Sequence, residues 1–201
     1  TYSRDIPIVL STNSDCELVD GLGTDANNTT HERGAMNYNV SPGWSKLSNV
    51  WDAMYSIIEN ANLIVEGINK SSLLTSGDSD QRAMERFKGE ALTIRAMVYF
   101  DLIRLFGDIP YKSESSNPNL GNVYLGKSDR DVIMDELIKD LETAITLLPW
   151  AGEVSAYTTE RVTKGYAHSL LENIALSRAG WSIREEQKNG YVTADKNSDP
   201  V

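Results

Sequence analysis

From Leu47 onward, apolar residues return every three or four positions: Val50, Trp51, Met54, Ile57, Ile58, Ala61, Ile64, Val65 and Ile68 follow in turn. Residues three and four apart share one face of a 3.6-residue turn, so this spacing predicts a helix. Ser41-Pro42 ahead of it is expected to supply the cap, with proline in the first turn, where its lacking N–H is harmless. A second stripe runs through Met84, Phe87, Ala91, Ile94, Val98, Leu102 and Leu105. It predicts a helix starting near Ser79 or Asp80 and stopped by Gly107-Asp108-Ile109-Pro110, with glycine for the turn, aspartate as turn acceptor and proline barring continuation. The third stripe, Ile133, Leu137, Ile138, Leu141, Ala144, Ile145 and Leu148, opens on the capping-box-like Ser128-Asp129-Arg130-Asp131 and ends at Pro149. The fourth covers about Thr163 to Ala179, with Tyr166, Ala167, Leu170, Leu171, Ile174 and Ala175 inward and Gly180 as a left-handed C-cap.

Between and around these stripes the pattern lapses. Residues 1–43 are rich in Ser, Thr, Asn, Asp and Gly and are expected to be an irregular segment and loop. Residues 111–127 form a second loop broken by Pro118, Gly121 and Gly126, and residues 181–201 form a polar tail in which no strand is expected. The helical domain therefore spans 44–180. A buried Leu or Ile contributes roughly 1.5–3 kcal/mol, against about 1–2 kcal/mol of backbone entropy for each ordered residue. No stripe is rich enough to hold its own helix, so consecutive helices must pack antiparallel against one another. Gly89, in the middle of the second helix, costs about 1 kcal/mol against alanine and is expected to mark a close helix approach. The helix starts near 44, 80, 129 and 163 keep no strict period of about 34 residues, so spacing alone does not identify a tetratricopeptide repeat.

Charge narrows the range of partners. The 201 residues carry a formal net charge of -10, which disfavours phosphate backbones and anionic lipid surfaces but leaves neutral ligands unpenalised. Cys16 is the single cysteine, so no internal disulfide can form, and Asn13-Ser14-Asp15 before it is too polar for a lipid-attachment box. No apolar run reaches membrane-spanning length. The H-E-x-x-H, C-x-x-C, G-x-S-x-G and Walker A patterns are absent, two histidines cannot build a three-histidine metal site, and the sequence points away from an enzyme. No cofactor is expected.

Three stretches together resemble the SusD/RagB family. Trp51-Asp52-Ala53-Met54-Tyr55-Ser56-Ile57-Ile58-Glu59-Asn60-Ala61-Asn62 is similar to that family's W-x-x-x-Y-x-x-I-x-x-A-N. Gly89-Glu90-Ala91, Arg95-Ala96, Tyr99-Phe100, Leu102 and Phe106-Gly107-Asp108-Ile109-Pro110 resemble its GEA-x-x-x-RA-x-x-YF-x-L-x-x-x-FGD-x-P, the most specific of the three. Arg161-Val162-Thr163-Lys164-Gly165, followed by Ala167, Leu170-Leu171 and Ala175, is similar to R-x-T-K-x-A-A-x-x-L-L. The resemblance covers residues 47 to about 180. It implies an all-α fold of tetratricopeptide-like helix pairs, the SusD-like α-α superhelix, preceded by an irregular N-terminal loop segment and followed by a further C-terminal part. It also implies a non-catalytic role: an outward-facing lipoprotein of the outer membrane captures an oligosaccharide or other nutrient and delivers it to a SusC-like TonB-dependent transporter. The lipid-bearing cysteine is then expected upstream of Thr1. The alternative reading is a tetratricopeptide-like scaffold for protein–protein contacts.

Sugar recognition needs an aromatic ring against the C–H face of a pyranose and side-chain partners for its hydroxyls. The first loop holds that mixture, and in relatives the corresponding loop contributes to the glycan site. Asn27, Arg33, Tyr38, Asn39 and Trp44 are accordingly the candidate ligand contacts. Trp44 has a second reading, as a staple packed under the first helix. Tyr111, Tyr124 and Trp150, near other helix ends, are reserve candidates, while Arg95 is expected to pair with an acid on a neighbouring helix or to bond a carbonyl.

Overall fold

The computed structural model describes residues 41–186 and 190–194. Their order is α1 (Ser45–Asn69), a short 3-10 turn (Ser72–Thr75), α2 (Ser79–Phe106), α3 (Arg130–Leu147), α4 (Lys164–Ala179), β1 (Ser182–Glu186) and β2 (Gly190–Ala194). The chain divides into two compact units, residues 1–57 and 58–201, and the division falls within α1.

In the first unit Ser41-Pro42-Gly43 precedes the helix as a separate turn rather than forming its first turn. The Trp44 amide donates to the Ser41 carbonyl at 3.0 Å, and the Gly43 amide donates to Ser41 Oγ at 3.2 Å. Val50 and Met54 are fully buried, and Trp51 lies half-buried with its ring 4.9 Å from that of Tyr55.

In the second unit the helices run antiparallel in sequence order, as matching positions show. Asn62 meets Arg95 while Asn69 meets Lys88, so α2 returns along α1. Arg95 meets Asp140 and Gly89 meets Leu148, so α3 returns along α2. Arg178, late in α4, bonds Asp135 early in α3 at 2.8 Å. The core takes in much of what the stripes marked, Val98 and Leu102 of α2, Ile133, Leu137 and Leu141 of α3, Ala167 and Ile174 of α4, and adds Tyr99, which the α2 stripe left out. A Cβ on Gly89 would sit 2.8 Å from Leu148 Cγ, so the glycine is where two elements touch.

Side-chain caps set the starts. Asp78 accepts from the amides of Asp80 and Gln81, and Thr163 Oγ1 from that of Tyr166. At α3 the cap is Asp129, whose carboxylate accepts from the Asp131 amide at 2.7 Å, and not the expected Ser128. Three further expectations fail. Gly180 is extended (φ -85°, ψ 175°) rather than left-handed, because the chain leaves α4 directly into a strand. β1 and β2 form an antiparallel hairpin with Ile183 opposite Thr193 and Glu185 opposite Tyr191, where a polar tail without strands was expected. Ile64, Phe87 and Tyr166, placed inward by periodicity, are exposed. The apolar stripes are wider than the lines along which neighbouring helices touch.

Candidate functional site

The segment between α2 and α3 leaves the helices through a closed neck. Gly107 takes φ 76°, a left-handed conformation that favours glycine, and a Cβ there would lie 2.6 Å from Arg130 Nη2. Asp108 does not serve as a local turn acceptor. Its Oδ1 accepts from Arg130 Nε at 2.9 Å and from the Arg130 amide at 3.3 Å, which ties the end of α2 to the start of α3. One residue further in, the Ser128 amide donates to the Ile109 carbonyl at 2.8 Å in an isolated antiparallel bridge. The residues between form a loop whose two ends are held together.

Above the neck, a polar network on the helices holds the loop's first turn. Arg95 is 3% exposed. Its Nε and Nη2 donate to Asp140 Oδ2 at 2.9 and 2.6 Å, and its Nη1 donates to Asn62 Oδ1 at 2.8 Å and to the Ser113 carbonyl at 3.0 Å. Both expected roles, ion pair and carbonyl donor, fall to this one side chain. Burial raises the Asp140 carboxyl above the ordinary aspartate range even though the Arg95 guanidinium acts in the opposite direction. Tyr99 donates its hydroxyl to the Lys112 carbonyl at 2.9 Å and accepts from the Lys112 amide at 3.1 Å; burial pushes that hydroxyl up to about 12.

Two carboxylates of α1 complete the brace. Glu59 Oε1 accepts from the Ser116 amide at 2.7 Å, and its Oε2 from Lys112 Nζ at 2.8 Å and Ser116 Oγ at 3.0 Å. Glu66 Oε1 accepts from the Ser115 amide at 2.6 Å, and its Oε2 from Ser115 Oγ at 3.0 Å. Partial burial pushes the Glu59 carboxyl up, but the Lys112 ammonium and the Ser116 donors outweigh it and hold it below the usual glutamate range. The Ser115 amide and hydroxyl hold Glu66 down in the same way. Glu59, Asn62 and Glu66 stand three and seven apart on one helix face, the spacing that could have revealed them.

The braced loop displays an apolar tip. Leu120 (φ 57°), Val123, Tyr124 and Leu125 are all exposed, Tyr124 at 91%. Its fold is fixed from inside by Asn122, whose Oδ1 accepts from the Asn117 amide at 2.8 Å and whose Nδ2 donates to the Ser115 carbonyl at 2.7 Å. A tyrosine ring held this far into solvent can lie against a pyranose face or against another protein.

Of the ligand contacts chosen from sequence, Asn27, Arg33, Tyr38 and Asn39 lie outside the described residues. Trp44 is buried just ahead of α1, with Lys46 Nζ 5.9 Å from its ring centre. Among the reserve positions, Tyr111 is packed against Tyr99 at 5.0 Å, and its hydroxyl is raised by burial. Trp150 is 52% exposed and stacks on His168, with ring centres 5.8 Å apart and planes inclined by 15°. Among the described residues no group of three or more His, Cys, Asp or Glu could hold a metal ion, and no helix is long and apolar enough to cross a membrane.

A sequence profile for SusD-like proteins, described as starch-binding and associating with the outer membrane, matches residues 5–176. SusD-like protein P25 of Formosa agariphila is 27% identical over 145 residues, covering 71% of this chain and 25% of the relative. A SusD-like protein of Bacteroides ovatus is 24% identical over 136 residues, 68% of this chain and 23% of the relative. The chain thus spans about a quarter of the length of the curated relatives it matches. Among solved structures, a SusD homolog from Bacteroides thetaiotaomicron aligns with TM-score 0.70 at 21% identity, covering 89% of this chain and 36% of the other. A laminarin-binding SusD-like protein aligns with TM-score 0.64 at 24% identity, covering 77% of this chain and 31% of the other. These likenesses show the same helical fold.

Proposed function

Because the chain belongs to the SusD-like family of carbohydrate-binding proteins, we propose that it captures an oligosaccharide at the outer face of the outer membrane and passes it, chemically unchanged, to a SusC-like TonB-dependent transporter. The observation that carries this reading is the family match over residues 5–176, which takes in all four helices except the last three residues of α4. The disposition of the motif acids supports a passive role. Glu90 forms a two-point pair with Arg161 at 2.9 and 2.8 Å, and Asp108 is committed to Arg130, so both hold architecture. Attachment would be through a lipidated cysteine outside these residues.

Glycan contact is proposed for Asn27, Arg33, Tyr38 and Asn39 of the first loop, with Tyr124 and Trp150 as exposed aromatic alternatives, while the burial of Trp44 favours its second reading as a staple. Transfer to a transporter requires a protein-binding face as well. A furrow of about 410 Å³ along α1 and α2, lined by Ile64, Phe87 and Ile94, favours that contact, and it is also the feature that favours a scaffold role.

The test is a glycan array followed by titration calorimetry on the wild-type chain and on Tyr38→Ala, Asn39→Ala and Tyr124→Ala. Saturable binding of a neutral oligosaccharide, weakened by the first-loop substitutions, is expected. Binding of protein partners with no carbohydrate bound across the array would replace the reading with the scaffold one.

A further inference from the structure

Along α2, positions 100, 101 and 104 share one face, and along α4 so do 166, 170 and 173. The two faces border a groove of about 490 Å³, within the roughly 300–1,000 Å³ typical of small-ligand sites. Two of its lining side chains, Phe100 and Leu170, are apolar and buried. Its rim is polar. Arg104 lies with its guanidinium 5.8 Å from the Phe100 ring centre and 3.3 Å from Asp101 Oδ1, so two contacts orient its donors. Across from it Asn173 is exposed, and Tyr166 is 42% exposed at the groove's end. The Tyr166 hydroxyl, raised first by burial and then by the Asp101 carboxylate, is a hydrogen-bond donor.

The Asp101 carboxylate and the Arg104 guanidinium pair at 3.3 Å, so together they bring no net charge to the rim and give no preference for a charged ligand. The groove therefore offers the Tyr166 ring with its hydroxyl, the Asn173 amide with donor and acceptor, and the N–H and carboxylate groups of the Arg104–Asp101 pair. That set matches the amphipathic faces of a pyranose ring.

We propose that the α2–α4 groove is a saccharide-binding subsite, with Tyr166 as the stacking ring and Asn173, Asp101 and Arg104 as hydroxyl partners, separate from the first-loop residues. The proposal rests on the carbohydrate reading above for the class of ligand only; the location comes from the groove. A peptide is the competing occupant, and the test separates the two.

Isotopically labelled chain is titrated with a panel of neutral oligosaccharides headed by laminarihexaose and maltohexaose, and separately with a mixed peptide library. The readouts are the Asn173 side-chain amide and the backbone amides of α4 in proton–nitrogen correlation spectra. Saturable shifts centred on Asn173 are expected from a saccharide. Tyr166→Ala and Asn173→Ala, both at exposed positions and checked for native helicity by circular dichroism, should each weaken binding about three- to tenfold. Saccharide binding that is unchanged in both variants would remove the groove while leaving the family function intact. No binding by any panel member would remove both. Saturation of the groove by peptide but not by saccharide would overturn the assignment of ligand class.

Discussion

Arg95→Met is the sharpest test of how the helices hold the α2–α3 loop. Methionine keeps most of the volume but removes four donor contacts: two to Asp140, one to Asn62 and one to the Ser113 carbonyl. Removing one member of a buried ion pair typically costs about 3–5 kcal/mol, because the surviving charge stays buried without a partner. At about 2–4 °C per kcal/mol for a domain of this size, the melting temperature should fall by roughly 6–20 °C. The double variant Arg95→Met/Asp140→Leu removes both charges and should recover at least half of that loss. The pH dependence has a definite sign. Asp140 already sits above its ordinary range in the folded chain, and losing the Arg95 guanidinium raises it further. A carboxyl raised by folding stabilises the native state fully below its unfolded pKa and loses that contribution as pH rises through the folded value. The single variant should therefore suffer most near neutrality and least in acid, while the double variant should lack that trend. Thermal melts and urea denaturation, both followed by circular dichroism across pH, measure these quantities. A loss below about 1 kcal/mol, or a double variant no more stable than the single, would refute the argument.

The other expectations concern packing and the brace. Gly89→Ala should destabilise by about 1–2 kcal/mol, since overpacking against Leu148 and Leu147 exceeds the gain in helix propensity, whereas Gly67→Ala meets nothing within 4 Å and should stabilise by about 0.5–1 kcal/mol. Thermal melts showing the same sign for both would contradict the close approach at Gly89. Glu59 and Glu66 are held below their ordinary range, so their contribution is present above the unfolded glutamate pKa and is lost as pH falls through the depressed folded values. The Ser115 and Ser116 amide resonances should accordingly hold their bonded shifts at neutral pH and move toward random-coil positions in acid; no movement would show that these carboxylates do not secure the loop.

The helices were legible because each is long and carries a regular apolar repeat, and α2, α3 and α4 start at a side-chain acceptor. The starts near 80, 129 and 163 fall within one residue of the observed ones. The hairpin was not, because Arg184-Glu185-Glu186-Gln187-Lys188 masks the alternation of Ile183 with its partners; Asn189-Gly190 and the run Tyr191-Val192-Thr193 were the overlooked signals. Periodicity also placed Tyr166 inward, since it marks a face of one helix and not where the neighbouring helix ends. Asn173, seven residues on, was the clue that this face turns polar. The brace escaped for a different reason. Glu59, Glu66 and Lys112 look like solvent-facing charges, and only the path of the loop brings its Ser115 and Ser116 amides to them. Arg95 drew attention by resemblance, and its expected partner type was correct, but Asp140 lies 45 residues away and no local rule names it.

The pairing of Ile109 with Ser128 bears on how such chains diversify. With both stems of residues 110–127 clamped by the helical frame, lengthening the excursion costs little, on the order of 0.6 kcal/mol for each doubling of its length. The tip is then an exchangeable cassette: Tyr124 and its neighbours can be swapped for other chemistry while the frame beneath, with Arg95 at its centre, folds as before. A variable tip and a constant frame can coexist in one short stretch of polypeptide.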